Sequence, residues 1–133
     1  MTGPARIKKQ KAYRWGQGAE WLSILLLVLK GYRILARRFK CKVGEVDLIA
    51  QKGRVICFIE VKARKTRQEA MHAVSWHQRN RIIRAAEWYL VRYVYGKDDR
   101  SQEFYYRFDL MAVEPWSLPT HVKDAWQRNV KID

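Results

Sequence analysis

The sequence predicts an α/β domain with a central sheet flanked by helices, in the order helix, three strands, helix, strand. Three observations predict it. An apolar helical stretch ends near Lys30. Two Val-, Ile- and Phe-rich segments joined by a turn fill Gly44 to Arg64, GEVDLIAQKGRVICFIEVKAR. A second helical pattern, from about Ser75 to Tyr95, precedes a loosely alternating segment from Glu103 to Val113.

The 133 residues, 48% of them hydrophobic, provide one domain with a real core. Lys and Arg number 27 against 13 Asp and Glu, a net charge of +14. Such an excess predicts salt-sensitive attraction to polyanions, with nucleic acid the first candidate. On charge alone, a ribosomal partner or an anionic membrane fits equally well. The longest apolar run, Trp21 to Leu29, is too short to span a bilayer, and no secretory core adjoins the N-terminus. Cys41 and Cys57 form no CxxC pair, and His72, His77 and His121 are scattered. Reduced thiols in a cytoplasmic protein are the simplest reading.

In chain order, residues 1–14 carry Arg6, Lys8, Lys9, Lys11 and Arg14 and no acid, and read as a flexible basic arm before a single domain over 15–133. The arm either contacts phosphates or serves only as a soluble tail. Gly16-Gln17-Gly18 ends it, and a helix follows to about Lys30, apolar nearly all round and so buried. Glu20 is its only acid. It either answers the helix macrodipole or points at the hairpin as a third acidic group. Gly31 caps the helix, and Tyr32 to Phe39 reads as the first strand.

The hairpin is the centre of the chain. Lys52-Gly53 reads as its turn. With a two- or four-residue loop, position 49 faces 56 and 47 faces 58. Asp47 then shares a face with Glu60 and Lys62, one diagonal step away; a three-residue loop separates them. Two adjacent carboxylates are unfavourable without a cation between them. Lys62 as a simple salt-bridge partner is one answer. A hard divalent cation on Asp47 and Glu60 is the other, and oxygen ligands select Mg2+ or Mn2+. Glu45 is either an auxiliary ligand or the partner of an arginine.

Beyond the hairpin, Arg64, Lys65 and Arg67 lie on a basic loop. On the second helix, Ile82, Ala86, Tyr89, Leu90 and Tyr93 form an apolar stripe. His77, Arg81, Arg84, Trp88 and Arg92 form another face, either solvated or suited to a phosphate backbone. Gln78 lies between the stripes. Gly96 to Gln102 reads as a polar turn, Asp109 as a partner for a basic neighbour, and residues 120–130 as a short helix with Thr120 as N-cap.

The spacing of Asp47 from Glu60-Val61-Lys62 resembles the acid, acid-x-Lys signature of the PD-(D/E)xK nuclease superfamily. The segments GQGAEWLSILLLVLKGYRIL, KVGEVDLIAQKGRVICFIEVKAR, AVSWHQRNRIIRAAEWYL and RFDLMAV together resemble the bacterial YraN family of endonuclease-like proteins, over roughly residues 14–113. The resemblance implies a restriction-endonuclease-like core close to that of Holliday-junction resolvases. It also implies metal-dependent hydrolysis of phosphodiester bonds. Glu20 matches the family's acid on the first helix, Asp47 its central aspartate, and Glu60 and Lys62 its E-x-K pair. Gln78 is a secondary catalytic candidate. Asp47, Glu60 and Glu20 are the implied ligands of one or two Mg2+ or Mn2+ ions. Arg64, Lys65, Arg67, Arg79, Arg81 and Arg84 are the implied nucleic-acid contacts, DNA ahead of RNA, with a homodimer left open. Trp76-His77 departs from the Pro and basic residue expected there. The rival reading is a binding module that keeps the fold without catalysis.

Overall fold

The computed structural model describes residues 4–95 and 103–128, with side chains from residue 16 onward. Helix α1 spans Pro4–Leu29, followed by β1 Arg33–Cys41, β2 Gly44–Lys52 and β3 Val55–Ala63. Helices α2 Arg67–His72 and α3 Trp76–Leu90 come next, then β4 Tyr105–Val113 and β5 Thr120–Trp126. The five strands form one sheet in the order β1-β2-β3-β4-β5, mixed because β3 and β4 run parallel while the other pairs are antiparallel. The parallel pair is joined by the crossover that contains α2 and α3, as a parallel connection requires.

Local chemistry sets the element ends. Gly31, at φ 92°, closes α1: its amide donates to the Val28 carbonyl and the Tyr32 amide to that of Leu27, a Schellman end. The Thr66 and Ser75 hydroxyls accept from the Glu69 and Gln78 amides and so cap α2 and α3. Beyond Leu90, α3 widens into a π-helical turn over Val91–Tyr95.

The core lies on both faces of the sheet. Under α3, Ile49, Ile56, Phe58, Ile82, Ala86, Leu90, Phe108 and Leu110 pack together. On the other face Leu27, Tyr32, Leu48, Ala50, Cys57, Ile59 and Met111 pack together, with Leu27 supplied by α1. Strand β3 is therefore covered on both sides, which explains its unbroken apolar run Ile56-Cys57-Phe58-Ile59.

Several expectations are corrected. The helix over residues 120–130 is strand β5: its backbone pairs with the free edge of β4, and Trp126 buries itself against Phe108 at 6.0 Å. Part of the basic loop after the hairpin is α2. Helix α1 begins at Pro4 rather than after Gly18. Pro4 suits a first helical turn, and the good helix formers Ala, Lys and Gln dominate residues 5–12. The hairpin turn is Gly53-Arg54, with Gly53 at φ 59°, so Ile49 faces Phe58 and Leu48 faces Ile59. The register thus moves by two residues. An even shift keeps every side chain on its face. Among the described residues no helix is long and apolar enough to cross a membrane. The expected turn at residues 96–102 lies outside the described residues.

Candidate active site

Extending the β2–β3 register by one step brings Asp47 opposite Glu60, closer than the diagonal expected from sequence. The Val61 amide donates to Asp47 Oδ2 at 2.9 Å, which anchors one carboxylate oxygen to the neighbouring strand. Glu60 is only 5% exposed. Gln78, in the first turn of α3, donates from Nε2 to Glu60 Oε1 at 2.9 Å. The Lys62 ammonium stands 3.8 Å from that same oxygen. Desolvation by burial, then the Asp47 carboxylate beside it, push the Glu60 carboxyl up to about 9, and Lys62 only partly counters them. Without a cation, Glu60 therefore holds its proton at neutral pH, and Lys62 faces a carboxylic acid rather than an ion-pair partner.

These groups open into a cleft of about 260 Å³ that Glu20, Arg38, Lys40, Glu45 and Arg81 also line. The backbone of β2 and α3 meets here without a side chain between them. A Cβ on Gly44 falls 1.9 Å from the Arg81 carbonyl oxygen, so only glycine lets α3 come close enough to place Gln78 over Glu60.

The structure brings Glu20, Asp47, Glu60 and Gln78 to one cleft, with Lys62 against Glu60. Glu20 is buried and engaged by cations: Arg37 and Arg38 each donate to one of its oxygens at 3.3 Å. Glu45 meets Arg81 at 3.9 Å, the arginine-partner alternative of the sequence reading. Arg84 is exposed one turn further along α3. Arg64 and Lys65 lie on the β3–α2 connection and Arg67 opens α2, all outside the cleft. Arg79 turns toward β5, its guanidinium 5.9 Å from the Trp126 ring, and also lies outside the cleft.

Two cleft residues, Arg38 and Lys40, are not among the sites the sequence picks out. Arg38 takes φ 49°, a left-handed conformation uncommon for a non-glycine residue and often tied to function. The only signal in the sequence is the basic cluster Arg37, Arg38, Lys40, Lys42 just before the hairpin.

The pair Asp47 and Glu60 offers hard oxygen donors that repel each other when both are ionised, a donor set that suits Mg2+ or Mn2+. Mg2+ is commonly held by one or two carboxylates, with water and substrate phosphate completing its shell. Among the described residues no group of three or more His, Cys, Asp or Glu is gathered as a metal cluster. Glu20 in particular is turned to its arginines.

A second buried polar group sits on the α1 side of the sheet. Asp109, fully buried, accepts from Arg107 Nε at 2.9 Å and from the Asp124 amide at 3.0 Å. His121 Nε2 lies 2.7 Å from its other oxygen. Burial pushes the Asp109 carboxyl up, but the hydrogen bonds from His121, Arg107 and Asp124 outweigh it and hold the group below the usual carboxylate range. Burial and then Asp109 push the nearby Cys57 thiol up to about 12, so it is inert as a nucleophile. This network ties β5 to β4, and the basic neighbours expected for Asp109 are Arg107 and His121.

Known proteins share this sequence along most of its length. A UPF0102 protein of Mesorhizobium japonicum is 47% identical over 119 residues, covering 89% of this chain and 90% of its own. One from a Chelativorans species is 46% identical over 126 residues, covering 95% and 98%. One from Agrobacterium fabrum is 46% identical over 119 residues, covering 90% and 93%. The family described as uncharacterised protein family UPF0102 matches residues 19–113. That span runs from α1 through the last residue of β4 and contains Glu20, Asp47, Glu60, Lys62 and Gln78. The chain belongs to the UPF0102 family.

Proposed function

We propose that this protein is a metal-dependent endonuclease that hydrolyses phosphodiester bonds in nucleic acid, with DNA the favoured substrate. The observation that carries the reading is the buried Glu60 beside Asp47, with Gln78 hydrogen-bonded to it at 2.9 Å and Lys62 at 3.8 Å. A fold has little reason to bury one carboxylate against a second, half-buried one in a protein of charge +14 unless a cation joins them. The element order α-β-β-β-α-α-β-β, which adds the short helix α2 and the edge strand β5 to the expected α-β-β-β-α-β, is compatible with the restriction-endonuclease-like core implied by the YraN and PD-(D/E)xK resemblance.

Asp47 and Glu60 would hold Mg2+ or Mn2+, which supplies Lewis-acid activation of water and offsets charge on the phosphoryl oxygens. Gln78 fixes the Glu60 carboxyl. The Val61 amide fixes that of Asp47 through Oδ2. Lys62, a point cation on a flexible stem, orients the attacking water or stabilises the developing phosphoryl charge. Arg38, Lys40 and Arg81 give the backbone a cationic floor without reading sequence. Glu20 holds Arg38 at the cleft, and any part it takes in binding a second ion requires exchange of its two arginine contacts for that ion.

One observation favours the rival reading, a binding module without catalysis: the arginine pairing of Glu20 leaves two acids rather than three facing each other. Plasmid nicking separates the two. The endonuclease reading expects nicking with Mg2+, none with chelator, and none from Asp47→Asn. Nicking that survives both treatments, or none by wild type with Mg2+ on plasmid, branched and single-stranded DNA or on RNA, rejects it.

A further inference from the structure

Helix α3 carries a second feature beside the cleft. Arg81 lines the cleft. One to three turns on, Arg84, Trp88, Val91 and Arg92, with Val43 from the β1–β2 turn, line a shallow groove of about 440 Å³. The two share a wall, since Phe39 lines the cleft and its ring lies 5.8 Å from that of Trp88. The groove is apolar in its floor and cationic at its rim. Its one acid, Glu87, is neutralised by Arg128 at 2.7 Å. The guanidinium of Arg92 lies over the Trp88 ring, 4.3 Å from its centroid.

We propose that this groove seats one unpaired base of the same strand whose phosphodiester lies at Asp47 and Glu60. The inference rests on reading the cleft as a nucleic-acid site, and it adds a substrate class: nucleic acid with an unpaired nucleotide beside the scissile bond. Arg81 and Trp88 are seven residues apart, about 10 Å along a helix that rises 1.5 Å per residue. A stacked strand advances about 3.4 Å per nucleotide, so the groove receives a base one to three nucleotides from the reacting phosphate. A paired base faces its complement inside the duplex and cannot reach the groove. An unpaired one can turn outward, and flat aromatic and guanidinium groups are the platforms on which such bases stack. Trp88 and Arg92 already form such a pile, and the outer face of the guanidinium is the stacking surface. Charge complementarity selects a nucleic-acid strand over a peptide, because Arg81 and Arg84 line the path from cleft to groove.

The test is binding of the whole chain in EDTA to two DNAs of equal length. One is fully paired; the other has a three-nucleotide bulge containing 2-aminopurine. Wild type should bind the bulged DNA more tightly by about 5- to 150-fold, the equivalent of stacking one base, and should quench the 2-aminopurine. Trp88→Ala and Arg92→Ala should bring the ratio of the two affinities toward one and relieve the quenching. Arg92 is exposed, so its variant answers the question even where loss of Trp88 disturbs packing against Phe39. Equal wild-type affinities, or no quenching on the bulge, overturn the base seat. If neither DNA binds, the nucleic-acid reading falls with it. If the bulged DNA binds and quenches but is never cut with Mg2+, the base seat stands and the hydrolase reading alone fails.

Discussion

Metal-free protein should lose stability as pH rises through neutrality, and Glu60→Gln should remove most of that loss. Burial and Asp47 raise the folded-state carboxyl from its ordinary 4.5 to about 9. Between those values the folded chain holds a proton at Glu60 that the unfolded chain has released. The stability supplied by the protonated state is therefore fully present below the ordinary value and is lost as pH climbs through the raised one. The ceiling is about 1.4 kcal/mol per pH unit, so about 3 kcal/mol from pH 6 to pH 8. In a chain of this size that corresponds to a fall in Tm on the order of 10 °C. Gln keeps an acceptor for Gln78 and cannot ionise. Thermal and urea unfolding in EDTA at pH 6, 7 and 8 measure the slope for both proteins. The histidines titrate in both, so the difference between the two slopes isolates Glu60. Parallel slopes would refute the buried, Asp47-coupled acid.

Three other perturbations test the supporting structure. Gly44→Ala puts a methyl group 1.9 Å from the Arg81 carbonyl, so α3 must retreat by more than 1 Å; the expected cost is about 1–3 kcal/mol and about a hundredfold in cleavage rate, and an alanine variant with wild-type urea midpoint and rate would contradict the close approach. Asp109→Ala leaves Arg107 and His121 facing a buried void and should cost about 3–5 kcal/mol in urea unfolding, whereas a loss below about 1 kcal/mol would mean the network does not hold β5. Arg81→Ala should weaken DNA binding alike on all sequences and lower the salt slope by about one; an unchanged slope would move the phosphate contact to other residues.

The site is legible in the sequence because strand alternation is robust. Asp47, Glu60 and Lys62 remain on one face even though the turn sits one residue later than Lys52-Gly53 implies, since the register slips by two. Helical phase places Gln78 only between the stripes and the family resemblance makes it a candidate, while its bond to Glu60 depends on the closeness of α3, which only Gly44 permits. The illegible part is long-range. Glu20 meets Arg37 and Arg38 across 17 and 18 residues, and Arg107 reaches Tyr32 across 75. No local pattern announces such pairs. Strand β5 escapes a sequence reading because Thr120-His121-Val122-Lys123-Asp124-Ala125-Trp126 has no strong propensity of its own. It is a strand because β4 offers an edge and Asp109 a buried acceptor for the Asp124 amide. The φ of 49° at Arg38 has no sequence signature outside glycine and asparagine.

The claim that Asp47 and Glu60 hold a divalent cation is tested most directly by calorimetric titration of Mn2+ into the protein at pH 7. The titration is run in two buffers of different ionisation enthalpy, with Asp47→Asn and Glu60→Gln beside wild type. A ligand must be deprotonated to bind, and Glu60 is protonated at that pH without metal. The account predicts saturable binding that releases close to one proton per ion, and its loss in both variants. Binding that is absent from wild type, releases no proton, or persists unchanged in both variants would contradict it.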